Sequence, residues 1–266
     1  MVQLQSKSAA ANESRRQGLV IGVPIDALSW DTARRRLMGW ARQRSSRYVC
    51  ICNVHSVVTA RQDAAYLKVV READMATPDG APVAWSLRRA GFEGQPRVNG
   101  PDLMWKLCAD AEREGLAVGF HGSAPQTLEL LRGALASAFP RLRIGYCVSP
   151  PFRQLSEAED IAVCDQINAS GVGLLFVGLG CPKQEHWMAA HRGRVNAVML
   201  GVGAAFDYHA GTISRAPEWM RSMGLEWLHR LCSEPRRLWR RYLVTNSLFI
   251  WHTAVQTLRG TSPAKP

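Results

Sequence analysis

The sequence reads GLLFVGLGCPKQEHW over residues 173–187 and NAVMLGVGAAFDYHAGTISRAP over residues 196–217. Each stretch begins as a short apolar run, typical of a buried strand, and continues into glycines followed by a few polar side chains. Open parallel sheets bind ligands at the carboxyl ends of their strands. We therefore predict strands at residues 173–178 and 196–201 whose ends carry a binding site.

Apolar runs alternate with amphipathic stretches along most of the chain. Further strands are predicted at residues 18–23, 47–52, 116–120 and 142–147. Helices are predicted near residues 29–44, 54–72, 80–91, 100–114, 125–138, 156–170 and 182–192. Strands separated regularly by helices indicate βαβ crossovers, so the predicted fold class is α/β with a mostly parallel sheet flanked by helices.

The predicted organisation has three parts. Residues 1–17 lack the apolar stretch of a signal peptide and are expected to form a flexible tail. Residues 18–205 are expected to form an α/β catalytic core. Residues 206–266, here named the appendage, are helical and basic, with a break at Pro235. The apolar stretch 243–258 is shorter than the ~20 residues of a membrane span, so a cytoplasmic protein is expected.

Cysteine usage argues against a disulfide framework. The seven cysteines are odd in number and scattered, which favours free thiols in a reducing compartment. The closest pair, Cys50 and Cys52, alternates along a predicted strand and cannot chelate a metal ion alone. We therefore expect no zinc site, and because the chain lacks GxGxxG and the P-loop Lys, no dinucleotide or ATP cofactor is expected.

The net charge of +11 favours anionic partners, and the excess is uneven. Residues 215–266 hold nine Lys and Arg against three Glu, with Trp and Tyr interleaved among the arginines. Such a composition suits a helix on an anionic membrane surface. A solvated basic helix that only maintains solubility is the alternative. Nucleic-acid binding ranks last, because no DNA- or RNA-binding motif is present.

Two turns before predicted helices carry candidate catalytic groups. Asp79 lies between Pro78 and Gly80, where a carboxylate in a cleft can act as a general base or merely form a turn. Arg97 precedes a Gly-Pro turn, and its fork of donors could hold a diphosphate. Asn99 of the same motif is a candidate substrate contact.

Loops after the strands supply further candidates. Gly122 belongs to a loop that opens a helix and could present backbone N–H groups to phosphate. Gly178 and Gly180 allow close approach of a ligand to the backbone. Gln184 could read a uracil or sugar edge, and Glu185 could accept from sugar hydroxyls or serve only as a helix-dipole acid.

Four motif regions stand in series: PDGAPVAW (78–85) with RVNGPDL (97–103), VGLGCPKQEHW (177–187), GVGAAFDYHAGTISRAP (201–217) and GLEWLHRLCSEPRRLWRRYL (224–243). Together, over about residues 18–245 and in family order, they resemble the WecG/TagA/CpsF glycosyltransferase family (glycosyltransferase family 26). The resemblance implies a Rossmann-like core with a C-terminal helical membrane-docking appendage. It also implies an inverting, metal-independent transferase that moves a sugar from a nucleotide-diphosphate sugar to a polyprenyl-diphosphate-linked saccharide. Such an enzyme would be peripheral, on the cytoplasmic face of the bacterial inner membrane.

The resemblance assigns roles residue by residue. The family's proposed base falls on Asp79, its arginine on Arg97 and its asparagine on Asn53. The arginines that the family directs at the lipid diphosphate fall on Arg230, Arg237 and Arg240. The remaining candidates are Arg215 and Arg241 for lipid diphosphate or membrane, and His55, Gly80, Gly203 and Asp207 for substrate.

The donor is inferred from residues 51–60, ICNVHSVVTA, which look closest to the exopolysaccharide (xanthan-type) branch. That branch adds a β-1,4-linked glucose to a glucosyl-diphospho-polyprenol, so UDP-glucose is the predicted donor. Ile51 stands where many relatives carry Thr, and His55 or Ser56 is expected to supply the missing polar contact. Alternatives are transfer of N-acetylmannosamine or its uronic acid from UDP, and a non-catalytic, membrane-recruited nucleotide-binding scaffold. Because family members can self-associate, a homo-oligomer stays open.

Overall fold

The computed structural model describes residues 15–258. Its strands are β1 (Gln17–Val20), β2 (Val23–Asp26), β3 (Arg47–Cys52), β4 (Met75–Pro78), β5 (Ala117–Gly122), β6 (Arg143–Val148), β7 (Leu174–Gly178) and β8 (Val198–Gly201). Its helices are α1 (Trp30–Arg42), α2 (Val54–Gln62), α3 (Ala64–Glu72), α4 (Ala81–Arg89), α5 (Gly100–Glu114), α6 (Pro125–Ala138), α7 (Glu157–Ala169), α8 (Lys183–His191), α9 (Ala205–Ala210), α10 (Glu218–Ser222), α11 (Glu226–Ser233) and α12 (Pro235–Leu258).

A six-stranded, all-parallel sheet forms the centre, in the order β4-β3-β8-β7-β5-β6. The predicted α/β class and five of the predicted strands are confirmed. Strand β3 shows why these runs are apolar throughout: Tyr48, Cys50 and Cys52 enter one buried cluster, and Val49 and Ile51 enter another. A parallel strand covered on both faces has no solvent side to mark with polar residues.

The two buried clusters lie between the sheet and two layers of helices, one layer on each face. One face of the sheet is covered by α2, α3, α4, α7 and α8, and the other by α1, α5, α6 and α9. All seven cysteines are free, which confirms the expected thiols.

The predicted strand over residues 18–23 was wrong in extent and partner. The chain turns at Ile21 and Gly22, both with positive φ, and β1 pairs antiparallel with β2 in a separate two-stranded sheet. The apolar run therefore continues through a hairpin turn instead of ending at it.

Strand β4 was missed, because its four residues lead directly into the Pro78 turn. All four are buried, and β4 pairs with β3 at the edge of the sheet. An edge position tolerates a strand that ends in proline.

The single helix predicted over residues 54–72 is two helices. Asp63 ends α2 and begins α3, where its carboxylate accepts hydrogen bonds from the backbone N–H groups of Ala65 and Tyr66. An aspartate at an N-cap stabilises a new helix start in the middle of an amphipathic pattern.

The appendage helices, α10–α12, lie along the core. Helix α12 begins at Pro235, as the predicted break requires, and packs on α2. Near its end Gln256 bonds both edges of the hairpin turn, accepting from Ile21 N (3.1 Å) and donating to the Leu19 carbonyl (3.2 Å). The predicted boundary at 205/206 falls inside α9, whose Phe206 is fully buried against Phe120.

Residues 1–14 of the predicted tail and residues 259–266 of the appendage lie outside the described residues. Within residues 15–258, no helix combines the length and hydropathy that crossing a bilayer requires.

Candidate active site

A cavity of about 1290 Å³ opens where the parallel strands end, between the sheet and the appendage helices. The parallel arrangement gathers the segments after β3, β4, β7 and β8 at this edge. The predicted site residues that line the cavity are Asn53, His55, Asp79, Gly80, Arg97, Gly178, Gly180, Gln184, Gly203, Asp207, Arg230, Arg237 and Arg241. Five others do not line it: Asn99, Gly122, Glu185, Arg215 and Arg240.

Asp79 lies on the cavity wall, directly after β4. Its backbone N–H donates to the Cys52 carbonyl (2.9 Å), which fixes the turn, and Gly80 follows with φ of 87°. Burial raises the pKa of Asp79 to about 6 against the opposing effect of Arg97, whose Nε lies 3.5 Å from the carboxylate. Such a group is ionised at neutral pH and basic enough to accept a proton.

Arg97 bridges two acids, and the second is one that the sequence analysis did not select. Its Nη2 donates to Glu226 on α11, and both side chains are less than a fifth exposed. Glu226 was counted only as one of three acids in a basic segment. The available signal was that Glu226 is one of three acids among nine Lys and Arg in residues 215–266.

Three arginines of the appendage face the same cavity with few acids to pair them. Arg237 donates to Glu234 (3.0 Å), and Arg230 Nε lies 3.8 Å from that carboxylate. Arg241 forms no ion pair within the described chain, and the buried Nε atoms of Arg230 and Arg241 have no hydrogen-bond partner. Burial, with Arg230 and Arg237 nearby, lowers the pKa of Arg241. The cluster is short of negative charge.

Two predicted arginines are directed elsewhere. Arg240 is exposed on the outer side of α12, with its guanidinium over the Trp239 ring at 5.3 Å. Arg215 forms an ion pair with Asp102 at the start of α5 (2.7 Å). Adjacent residues on a helix face different directions, so Arg241, one position further, takes the cavity side.

Gln184 holds two glycine loops together. Its Oε1 accepts from the N–H groups of Gly180 (3.2 Å) and Gly203 (3.1 Å), and its Nε2 donates to Glu185 Oε1 (2.8 Å). The predicted uracil contact can therefore use only the second Nε2 proton. Glu185 lies behind the cavity wall, fully buried, and burial raises its pKa to about 7.

The glycines of the site serve close packing as well as access. A Cβ on Gly178 would meet the Phe206 ring at 2.8 Å, and a Cβ on Gly122 would meet the Gly178 carbonyl at 2.6 Å. Gly122 also has φ of 118°, a conformation that side chains rarely adopt. It shapes the loop from outside the cavity.

Two asparagines cap helices. Asn53 Oδ1 accepts from Ser56 N (3.1 Å) at the start of α2, which leaves its Nδ2 for a ligand in the cavity. Asn99 uses both ends of its amide on Asp102 (2.9 and 2.8 Å) at the start of α5. Capping therefore accounts for Asn99 without a ligand.

His55, Ser56 and Ile51 line one wall together. Burial, with a smaller effect of Arg241, lowers the pKa of His55 to about 4, so its ring is neutral at pH 7. A neutral imidazole can donate or accept one hydrogen bond there. His55 and Ser56 therefore line the cavity that Ile51 also lines, although Ser56 is buried and its Oγ lies 3.3 Å from Asn53 Oδ1.

The cavity changes character along its length. Beyond Arg241 it follows α12 to Leu258, roughly 25 Å at 1.5 Å per residue. The walls there include Phe249, Ile250 and Leu258 of α12, together with Trp85 of α4. One end is lined by arginines, and along α12 apolar side chains alternate with polar ones: Thr245, Asn246, Thr253 and Thr257.

Away from the cavity, one group in the described part of the chain has metal-ligand chemistry: Asp160, Cys164 and His191. Its carboxylate and imidazole atoms already have partners. His191 bonds Asp160 (2.9 Å) and the Trp187 carbonyl (2.6 Å), and Arg194 pairs with the other oxygen of Asp160 (2.7 Å). These contacts describe a structural hydrogen-bond network.

Comparison with known proteins places this site in a family. The model of the glycosyl transferase WecG/TagA/CpsF family matches residues 19–263, a range that contains all of the cavity residues. The match covers the sheet, the glycine loops and the appendage helices as one continuous unit. The chain therefore belongs to the WecG/TagA/CpsF glycosyltransferase family.

Proposed function

We propose that the protein transfers a sugar from a UDP-sugar to a polyprenyl-diphosphate-linked saccharide, with inversion and without a metal ion. Glucose, in a β-1,4 linkage of exopolysaccharide synthesis, is the proposed donor sugar. The observation that carries this proposal is the arginine cluster of residues 230, 237 and 241, which faces the same cavity as Asp79. The buried Nε atoms of Arg230 and Arg241 lack hydrogen-bond partners, and the oxygens of a diphosphate would accept hydrogen bonds from them.

Asp79 is the proposed general base. Inversion needs one group to take the proton from the acceptor hydroxyl as that oxygen attacks the anomeric carbon and the bond to UDP breaks. A carboxylate with a pKa of about 6 is ionised at pH 7 and stronger than an ordinary aspartate. The proton goes to the Asp79 carboxylate, and the bond electrons leave with the UDP oxygen.

The leaving diphosphate needs its negative charge stabilised. The sequence contains no Asp-x-Asp pair that would hold a metal ion for this purpose. Arginines fixed in a partly buried site can supply the stabilisation, because their charge acts there through a lower dielectric than in water. Arg97 and Arg241 are the proposed groups.

The α12 end of the cavity supports the lipid-linked acceptor. A polyprenyl diphosphate has one charged end and one apolar chain, and along α12 the cavity passes from the arginines to a stretch where Phe249, Ile250 and Leu258 alternate with polar side chains. Outside the cavity, the appendage helices expose Trp219 and Trp251, each at least 60% exposed. We infer peripheral attachment to the cytoplasmic face of the inner membrane through these aromatics and the neighbouring arginines.

Transfer from a panel of radiolabelled UDP-sugars to a synthetic glucosyl-diphospho-lipid tests the proposal, with EDTA present. The wild type should transfer glucose, and Asp79→Asn should not. Transfer from a different donor would still support the proposed active site but would assign the enzyme to a different pathway. UDP binding without transfer from any donor would instead support a nucleotide-binding scaffold.

A further inference from the structure

We propose that Glu226 is a positioning residue. By holding Arg97, it links the position of helix α11 to the strength of Asp79 as a base. This inference rests on the proposed role of Asp79 as the base. Glu226 comes from the appendage, whereas Asp79 and Arg97 come from loops of the α/β sheet region. The Asp79–Arg97–Glu226 series is therefore a direct link between the two.

The contacts leave Arg97 divided between two carboxylates. Its Nη2 donates to Glu226 Oε2, while its Nε lies 3.5 Å from Asp79 Oδ1 and has no hydrogen-bond partner. Glu226 thus makes the close contact, and Asp79 keeps a carboxylate that is not fully paired. Because guanidinium nitrogens are rigidly coplanar, fixing Nη2 also fixes the direction of Nε.

Without Glu226, Arg97 would be free to pair fully with Asp79. A close, well-aligned arginine favours the ionised carboxylate and weakens it as a base. Glu226 opposes this in two ways, since it occupies the guanidinium and its own negative charge disfavours ionisation of Asp79. The second effect is among the causes of the Asp79 pKa, which Glu226 raises and Arg97 lowers.

Other charged and polar groups surround this series. Arg215 lies 4.0 Å from Glu226, and the charge of Asp102 also acts on Arg97. The phenols of Tyr208 and Tyr242 interact with Glu226, Asp79 and Arg230. Arg215 is itself paired with Asp102, and burial raises the pKa of both phenols, so they are neutral at pH 7. Glu226 is the acid of the appendage that reaches Arg97.

The test is the pH dependence of kcat/KM for sugar transfer by Glu226→Gln. We expect the midpoint of the acid limb to fall by about one pH unit, because the arginine shifts to Asp79. We expect kcat at pH 8 to fall roughly threefold, with KM little changed, because a weaker base accepts the proton less readily. Glu226→Asp keeps the charge and should restore most of the midpoint.

Glu218→Gln is the matched control. Glu218 lies on α10 and is exposed, so this substitution removes the same charge from the same appendage. Its acid limb should match that of the wild type. An unchanged midpoint in Glu226→Gln, or an equal shift in Glu218→Gln, would overturn the proposal.

A second measurement separates this inference from the proposed function. The free energy of unfolding is measured at pH 4 and pH 7 for Asp79→Asn, in the wild-type and Glu226→Gln backgrounds. The increase in the free energy of unfolding that Asp79→Asn gives at pH 7 relative to pH 4 should be smaller in the Glu226→Gln background. This holds whether or not the protein transfers sugar. An equal gain in both backgrounds would refute the coupling even in an active enzyme.

Discussion

Replacing Arg241 by Met should stabilise the protein and weaken anion binding at the same time. Arg241 is largely buried on the cavity side of α12, has no ion-pair partner within residues 15–258, and lies near two other arginines. Methionine keeps the apolar stem and removes the charge. The two effects have opposite signs. The unpaired guanidinium of Arg241 destabilises the ligand-free protein, and the same group is available to bind an anion.

The magnitudes follow from the environment. Removing a buried, uncompensated charge should raise the free energy of unfolding by about 1–3 kcal/mol, the usual cost of an unsatisfied buried polar group. Losing a hydrogen bond from a charged donor should cost about 1.5–3 kcal/mol of binding. That loss corresponds to a roughly 10- to 100-fold weaker dissociation constant for UDP or inorganic pyrophosphate.

Urea denaturation without ligand and calorimetric titration with UDP measure the two quantities. Arg240→Met is the matched control, because Arg240 is the preceding residue on the same helix and lies exposed over Trp239. It should change neither quantity appreciably. If Arg241→Met lost stability, or bound UDP as tightly as Arg240→Met does, the reading of Arg241 as an unpaired anion-binding group would be refuted.

Three further predictions concern buried acids and a glycine. Asp79→Asn should abolish transfer yet raise stability at pH 7 by about 2–3 kcal/mol, since its folded pKa of about 6 exceeds its ordinary value of 3.8. As pH rises from about 4 to 6, Asp79 ionises in the unfolded chain but resists ionisation in the folded protein, so the wild type loses stability over that range. The added stability of Asp79→Asn should therefore vanish near pH 4 in urea titrations. Glu185 has a folded pKa of about 7 against an ordinary value of 4.5, so its burial should cost stability progressively as pH rises from about 4.5 to 7, and Glu185→Gln should flatten that loss in thermal melts. Gly122→Ala should destabilise by about 2–4 kcal/mol, from its positive φ and its contact with Gly178, whereas Gly133→Ala on open helix surface should stabilise by about 0.5–1 kcal/mol. Equal midpoints of urea unfolding for the two alanine variants would contradict that difference.

The long-range pattern of the sheet could be predicted because each main strand is a nearly continuous apolar run. Strands β3, β7 and β8 are buried on both faces, and such runs stand out in a sequence. The errors have local causes. Strand β4 is four residues long and ends in Pro78, and Asp63 begins a new helix inside a pattern that reads as one helix.

Candidate site residues could be found where they follow a strand. The glycines after β7 and β8 were predicted to share one binding edge, and the cavity lies there; Asp79 was selected from its turn alone and lines the same cavity. Gln184 illustrates what a sequence leaves open. Its position was predicted, but whether its Oε1 faces a ligand or two backbone N–H groups depends on the fold of both glycine loops.

By itself, the sequence determined the α/β class, the order of the main elements and the edge where the site lies. Those features depend on apolar periodicity and on turn residues, which are local in the chain. Only the tertiary structure decided that Glu226 reaches Arg97 across 129 positions and that Arg241, not Arg240, faces the cavity. Such contacts depend on how α11 and α12 pack against the sheet. Because a rotation of one residue moves a helical side chain by about 100°, composition alone does not reveal which arginine enters the site.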